Sequence, residues 1–196
     1  MDSPTPNPEP RNAPIYLTGF MGSGKSTVGP LAAVRLGWRF LDLDELIAER
    51  AGRPIPAIFA AEGEAGFRRR EAEALRAVSR EERDAVVATG GGTLVQPENL
   101  KRARASGTVV YLRAPAAVLA ERLADAAAER PLLQSEEDGT PLAGAALTRR
   151  IETLLAERRP CYERAHRTVD TAEASPEATA EAVAAVGGKW RGDSRK

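Results

Sequence analysis

Eight residues constrain this chain more than any others: Gly19-Phe20-Met21-Gly22-Ser23-Gly24-Lys25-Ser26 fits the pattern G-x-x-x-x-G-K-[ST]. The segment follows Ile15-Tyr16-Leu17-Thr18, which reads as a short buried strand, and runs into a helix predicted over Lys25 to Leu36. The spacing has a physical basis. Glycines let the backbone curl until several N–H groups point at one anion. The helix that starts there adds the positive end of its dipole. Lys25 supplies a point charge for β- and γ-phosphates, and the Ser26 hydroxyl is a ligand for Mg²⁺. Average residue usage gives a chance match in only about one in a hundred chains of this length. Gly22, Ser23, Gly24, Lys25, Ser26 and Thr27 are therefore the predicted phosphate-binding residues. The loop alone does not separate kinases from ATPases or GTPases.

Further strands are predicted at Trp38 to Asp42, Ala85 to Thr89, Thr108 to Leu112 and, more weakly, Arg167 to Asp170. Helical stretches lie between them, around Gly66 to Arg80, from Pro115 and over Ala145 to Ala165, with a last helix opening near Pro176. This alternation predicts an α/β fold: three αβα layers around a five-stranded parallel sheet. Ligands in such sheets sit beyond the carboxyl ends of the strands. Pro4, Pro6, Pro8 and Pro10 mark residues 1–12 as a disordered tail, and 188–196 read the same way. Residues 13–187 then form a single domain, with a polar segment at about 129–145 expected to act as a mobile lid.

Charge and composition remove several function classes. Lys and Arg number 28, as do Asp and Glu, so no basic excess points to nucleic acid. Cys161 is the only cysteine and His166 the only histidine, which leaves no disulfide and no His-rich metal site. The first residues lack the basic and apolar regions of a secretory signal, and no run approaches the roughly 18 apolar residues of a membrane span. The expectation is a cytoplasmic protein.

Asp42 and Asp44 stand two residues apart at the end of the second strand. One can help hold Mg²⁺ near Ser26; the other can face a substrate hydroxyl, orient it and accept its proton. Alternatively, Asp44 merely caps the helix beginning Glu45-Leu46-Ile47. Arg68, Arg69 and Arg70 follow Phe67 on a helix, where most arginines are solvated or paired with nearby glutamates. Arg130 stands before Pro131-Leu132-Leu133 at the root of the lid segment, placed to close over phosphates. Arg158 and Arg159 precede Pro160. Separated arginines converging on one pocket would select a carboxylate, but periodicity does not show whether these converge.

With these motifs in this order, the chain resembles the shikimate kinase family, of the nucleoside-monophosphate-kinase-like P-loop group. The resemblance spans about Ile15 to Pro176 through GFMGSGKST at 19–27, FLDLDELI at 40–47, IFAAEGEAGFRRRE at 58–71, VVATGGGTL at 86–94, RPLL at 130–133 and ERRPCY at 157–162. It implies a P-loop kinase fold and transfer of the ATP γ-phosphate to the 3-hydroxyl of shikimate, a step toward chorismate and the aromatic amino acids. Carried over by position, Ser26 and Asp42 serve Mg²⁺, and Asp44 bonds the ring hydroxyls as base or orienter. Arg68 binds the substrate carboxylate, joined by Arg158, which leaves Arg69 and Arg70 as surface charges. Gly91, flanked by Gly90 and Gly92, offers its backbone N–H to a substrate hydroxyl. Arg130 stabilises the transferring phosphate, and Arg122 and Pro176 flank the adenine. The resemblance also implies a monomer. The chain departs from the family pattern in its acidic lid (Glu136-Glu137-Asp138-Gly139), in Thr171-Ala172-Glu173-Ala174-Ser175, which lacks a basic residue, and in residues 1–12. Two rival classes remain: a gluconate-type sugar-acid kinase and a nucleotide-binding regulator without turnover.

Overall fold

Along the first strand, β1 (Ile15–Thr18), successive side chains face opposite sides, and all are buried. Ile15 and Leu17 pack with Val86, Val110 and Leu112 under one set of helices, whereas Tyr16 packs with Val87 and Val109 under another. A strand apolar on both faces belongs in the middle of a parallel sheet, and that is its place in the computed structural model, which describes residues 12–135 and 137–187. The order is β2-β3-β1-β4-β5, formed by β2 (Arg39–Asp42), β3 (Ala85–Ala88), β4 (Thr108–Arg113) and β5 (Arg167–Asp170). Every pairing is parallel; Ile15 stands opposite Val86 on one side and Thr108 on the other. The edge strands β2 and β5 are only partly buried.

Helices α1 (Lys25–Leu36) and α7 (Pro176–Ala184) cover one face through Val28, Ala32, Ala33, Ala180 and Val183. α1 lies close to the sheet because Gly29 has no side chain: a Cβ there would fall 2.3 Å from the Phe40 ring. The other face carries α2 (Leu43–Ala51), α3 (Ile55–Glu81) and α4 (Pro97–Ser106) on one half, packed through Leu43, Ile47, Leu75, Val78 and Leu100. On its other half, α5 (Ala116–Leu123) and α6 (Gly144–Tyr162) enclose Phe20 and Tyr111. No described helix is long and apolar enough to cross a membrane.

The expected tails at 1–12 and 188–196 lie outside the described residues, except Asn12. Its backbone N and side-chain Nδ2 donate to Asp84 Oδ1 at 2.8 and 3.0 Å, which joins it to the folded unit. β2 ends at Asp42 and α2 begins at Leu43, so Asp44 stands in the first helical turn and not on the strand. α3 is interrupted at Gly63, where φ 65° and ψ −175° break the helical path. An ion-pair cluster crosses the break, with Glu62 accepting from Arg53 and Arg70. In the segment expected as a lid, 3₁₀ turns form at Ala127–Glu129 and Pro131–Leu133. Gln134 then bridges Pro141, and Leu133 is fully buried against the α5–α6 core.

Candidate active site

The loop between β1 and α1 turns on left-handed glycines. Gly19 has φ 144°, and a Cβ on it would meet the Leu112 carbonyl at 2.5 Å. Gly24, φ 97°, caps α1 with no side chain in the way. The loop curls back onto Lys25, whose Nζ donates to the carbonyls of Gly19 at 2.9 Å and Phe20 at 3.0 Å. Burial pushes the Lys25 ammonium down to about 8, although Asp44 and Asp42 pull it upward.

Asp42 faces this loop from the end of β2. Its Oδ2 accepts from the Ser26 hydroxyl at 3.1 Å, and its Oδ1 accepts from the Asp44 backbone N at 3.0 Å. Asp42 is therefore the residue that caps α2, and the Asp44 side chain is left for other work. A hydroxyl and a carboxylate side by side are hard oxygen donors suited to Mg²⁺, which takes one or two carboxylates and fills its remaining positions with phosphate oxygens and water. No group of three or more His, Cys, Asp or Glu suited to a metal occurs among the described residues.

A cavity of about 580 Å³ opens over the loop. It brings together Gly22, Ser23, Gly24, Lys25, Ser26 and Thr27 with Asp42, Asp44, Gly90, Gly91 and Arg130, and reaches Arg122, Thr171 and Pro176 at its far end. Arg122 is fixed there by bonds from Nη1 to the Gly22 carbonyl at 3.3 Å and the Thr171 hydroxyl at 3.2 Å, and from Nη2 to the Thr171 carbonyl. Arg130 lies between the two 3₁₀ turns, its Nε buried with no partner among the described residues.

Gly92, Arg68 and Arg158 do not line this cavity; they stand next to its lining residues Gly90 and Gly91, around the glycine triplet. A Cβ on Gly92 would lie 2.9 Å from Arg68 Nη1, and one on Gly91 would lie 3.7 Å from Arg158 Nη1. The two arginines thus flank adjacent residues of one loop, although 90 positions separate them in the sequence. Arg69 is exposed and Arg70 pairs with Glu62, as surface charges do. Arg158 also lies over the Phe20 ring, 5.5 Å from its centre.

Asp44 reaches the same loop. A Cβ on Gly90 would meet its Oδ1 at 3.1 Å, and that oxygen is buried without a hydrogen-bond partner among the described residues. Burial, then the neighbouring charges of Asp42 and Glu71, push Asp44 up to about 6, while Lys25 and Arg68 oppose the rise. A buried acceptor with no donor, aimed at an open cavity, is suited to a hydroxyl of a bound molecule.

Glu71, which the sequence places only among the glutamates near the arginine run, is a buried neighbour of the site. It is 1% exposed. Its Oε2 accepts from Arg68 Nη1 at 3.0 Å, and its Oε1 accepts from the Thr93 hydroxyl at 2.6 Å. It ties the arginine to the segment following the glycine triplet. Its position three residues after Arg68 on a helix was the available signal. His166 and Cys161 take framework roles: His166 Nδ1 accepts from Val109 N at 3.0 Å, and Cys161 Sγ points to the Val95 carbonyl at 3.6 Å.

A family model described as shikimate kinase matches residues 21–186. The chain belongs to the shikimate kinase family. It is 52% identical over 165 residues to a shikimate kinase of Salinibacter ruber, covering 84% of this chain and 80% of that one. It is 48% identical over 157 residues to a shikimate kinase of Chlorobium chlorochromatii, covering 80% and 81%. Among solved structures it is similar to the shikimate kinase of Acinetobacter baumannii in complex with shikimate, with TM-score 0.76 and 37% identity, covering 87% of this chain and 90% of that one. As a member of the shikimate kinase family the chain is a transferase, with ATP as the family's phosphate donor.

Proposed function

We propose that this chain transfers the γ-phosphate of ATP to the 3-hydroxyl of shikimate. The observation that carries the reading is the pairing of two groups across one loop. Arg68 stands beside Gly92 and Arg158 beside Gly91, while the unpartnered Asp44 oxygen stands beside Gly90 in the cavity lining. A ring with a carboxylate on one side and hydroxyls on the other fits that arrangement. The relative solved with shikimate bound supports the same acceptor.

The chemistry is displacement at phosphorus, in which the protein positions the reactants and neutralises charge. The acceptor oxygen bonds to the γ-phosphorus, the bond to the β–γ bridging oxygen breaks, and ADP departs. Asp44, ionised above about pH 6, orients the hydroxyl and takes its proton. Lys25 leaves the Gly19 and Phe20 carbonyls for the phosphate oxygens, and Arg130 neutralises charge on the group in transfer. Ser26 and Asp42 would hold Mg²⁺, whose charge supplies further stabilisation when bound. Arg68 and Arg158 grip the carboxylate, and the Gly91 N–H meets a ring hydroxyl. Arg122 and Pro176 border the adenine. The family resemblance fits a monomer, and an ATP-consuming reaction fits a cytoplasmic enzyme.

A coupled assay with ATP against shikimate, gluconate and nucleoside monophosphates tests the reading. Shikimate 3-phosphate is the expected product. Turnover of gluconate instead would reassign the acceptor, and ATP binding with no product from any acceptor would leave a nucleotide-binding regulator.

A further inference from the structure

Tyr162 closes α6, and the mechanism above gives it nothing to do. Its ring is 1% exposed and stacks on Tyr111 with centroids 5.1 Å apart. That packing accounts for an aromatic residue but not for its hydroxyl, since a buried phenylalanine would pack as well. The hydroxyl donates to the Gly91 carbonyl at 2.6 Å. Burial pushes its pKa up to about 12, against the lowering influence of the Arg158 guanidinium beside it, so it remains a donor throughout the working pH range.

The surroundings of Gly91 make this bond consequential. A Cβ on Gly91 would lie 3.5 Å from Met21 N, 3.6 Å from the Gly19 carbonyl and 3.7 Å from Arg158 Nη1. Gly91 therefore sits against both the phosphate loop and Arg158. Arg158 stands one helical turn before Tyr162, on the same face of α6.

We propose that Tyr162 is a positioning residue for the acceptor: its hydroxyl holds the Gly91–Gly92 peptide by the Gly91 carbonyl, which restricts rotation about Gly91 and so fixes the Gly91 N–H relative to Arg158, so that this N–H and the guanidinium meet the hydroxyl and the carboxylate of one molecule. The inference rests on the acceptor reading above. It adds that the two contacts are set by a third group touching neither the substrate nor the nucleotide.

Tyr162→Phe removes the hydroxyl and keeps the ring. The expected result is a KM for shikimate raised about tenfold, the worth of one hydrogen bond lost from a prearranged site, with kcat and the KM for ATP within about twofold of wild type. In Arg158→Lys, where the fork is already lost, adding Tyr162→Phe should raise the shikimate KM by less than about threefold more. Amide hydrogen exchange at residues 90–92 of the ligand-free protein should quicken about tenfold in Tyr162→Phe. An unchanged shikimate KM overturns the proposal, as does a uniform loss in kcat and both KM values together with a lowered melting temperature, the mark of a packing role alone. The exchange measurement needs no acceptor. If wild type proves inactive on shikimate, the acceptor reading fails, whereas unchanged exchange at 90–92 overturns the Tyr162 role whatever the acceptor.

Discussion

The Ser26 hydroxyl and the Asp42 carboxylate are joined at 3.1 Å, and the same carboxylate caps α2 through its other oxygen. One side chain thus links the phosphate loop to the helix that carries Asp44. Its two tasks are separable. Asn is as good an N-cap as Asp, but it carries no charge for a cation. Asp42→Asn should keep the wild-type melting temperature and raise the Mg²⁺ concentration needed for half-maximal activity by about tenfold or more. Titrating activity with Mg²⁺ beside a thermal melt checks both halves.

Lys25 and Asp44 set opposite limits on pH. Asp44 must be ionised and Lys25 protonated, and their values of about 6 and about 8 predict a bell in kcat/KM for ATP with limbs there. Bound phosphates raise the Lys25 value, so the alkaline limb of kcat should move upward from that of kcat/KM. Coincident limbs in the two profiles would count against Lys25 as the titrating group. Lys25→Ala should lower kcat by on the order of 10²-fold or more without unfolding the chain.

Asp44 also couples function to stability. Its folded-state pKa is raised from 3.8 to about 6, so the folded state holds that proton more tightly than the unfolded chain. The resulting stabilisation is full below the unfolded-state value and is lost as pH rises through about 6. Asp44→Asn removes the cost of burying the charge. The variant should exceed wild type by on the order of 2 kcal/mol at pH 8, show no such gain near pH 3.5, and transfer no phosphate. Urea unfolding at the two pH values measures the difference.

Arg68 and Glu71 are separable by kinetics. Arg68→Ala should raise the shikimate KM by about 10- to 100-fold with little change in the KM for ATP. Glu71→Gln keeps the shape and a hydrogen bond to Thr93 but drops the charge holding Arg68, and should raise the same KM by a smaller factor, about threefold to tenfold. An unchanged shikimate KM in Arg68→Ala would assign the carboxylate to another cation.

Much of this was legible in the chain itself. β1, α1 and β5 fall where a short apolar run, the glycine loop and the final β-branched residues place them. α4 escaped notice because only Asn99, Leu100 and Ala103 of its residues are buried, too narrow a stripe to announce a helix. Asp44 was read onto β2 because alternation cannot show that capping by Asp42 ends the strand. The meeting of Arg68 and Arg158 around Gly91 and Gly92 was invisible to periodicity, since the sheet, not local sequence, brings α3 and α6 to the same loop. Glu71 and Tyr162 stand within the sequence motifs, but a buried carboxylate or hydroxyl acquires meaning only through its partner.

Leu133, buried in the α5–α6 core, has a mechanical consequence for the segment around it. Ala127 is equally buried, so Arg130 hangs between two rivets three residues away on either side. Buried anchors at both ends hold this stretch of backbone against the α5–α6 core. Arg130 stands on the short stretch between those two buried residues. If Arg130 meets the phosphate as proposed, it does so from a backbone pinned on both sides, so replacing either anchor should disturb phosphate transfer as well as packing.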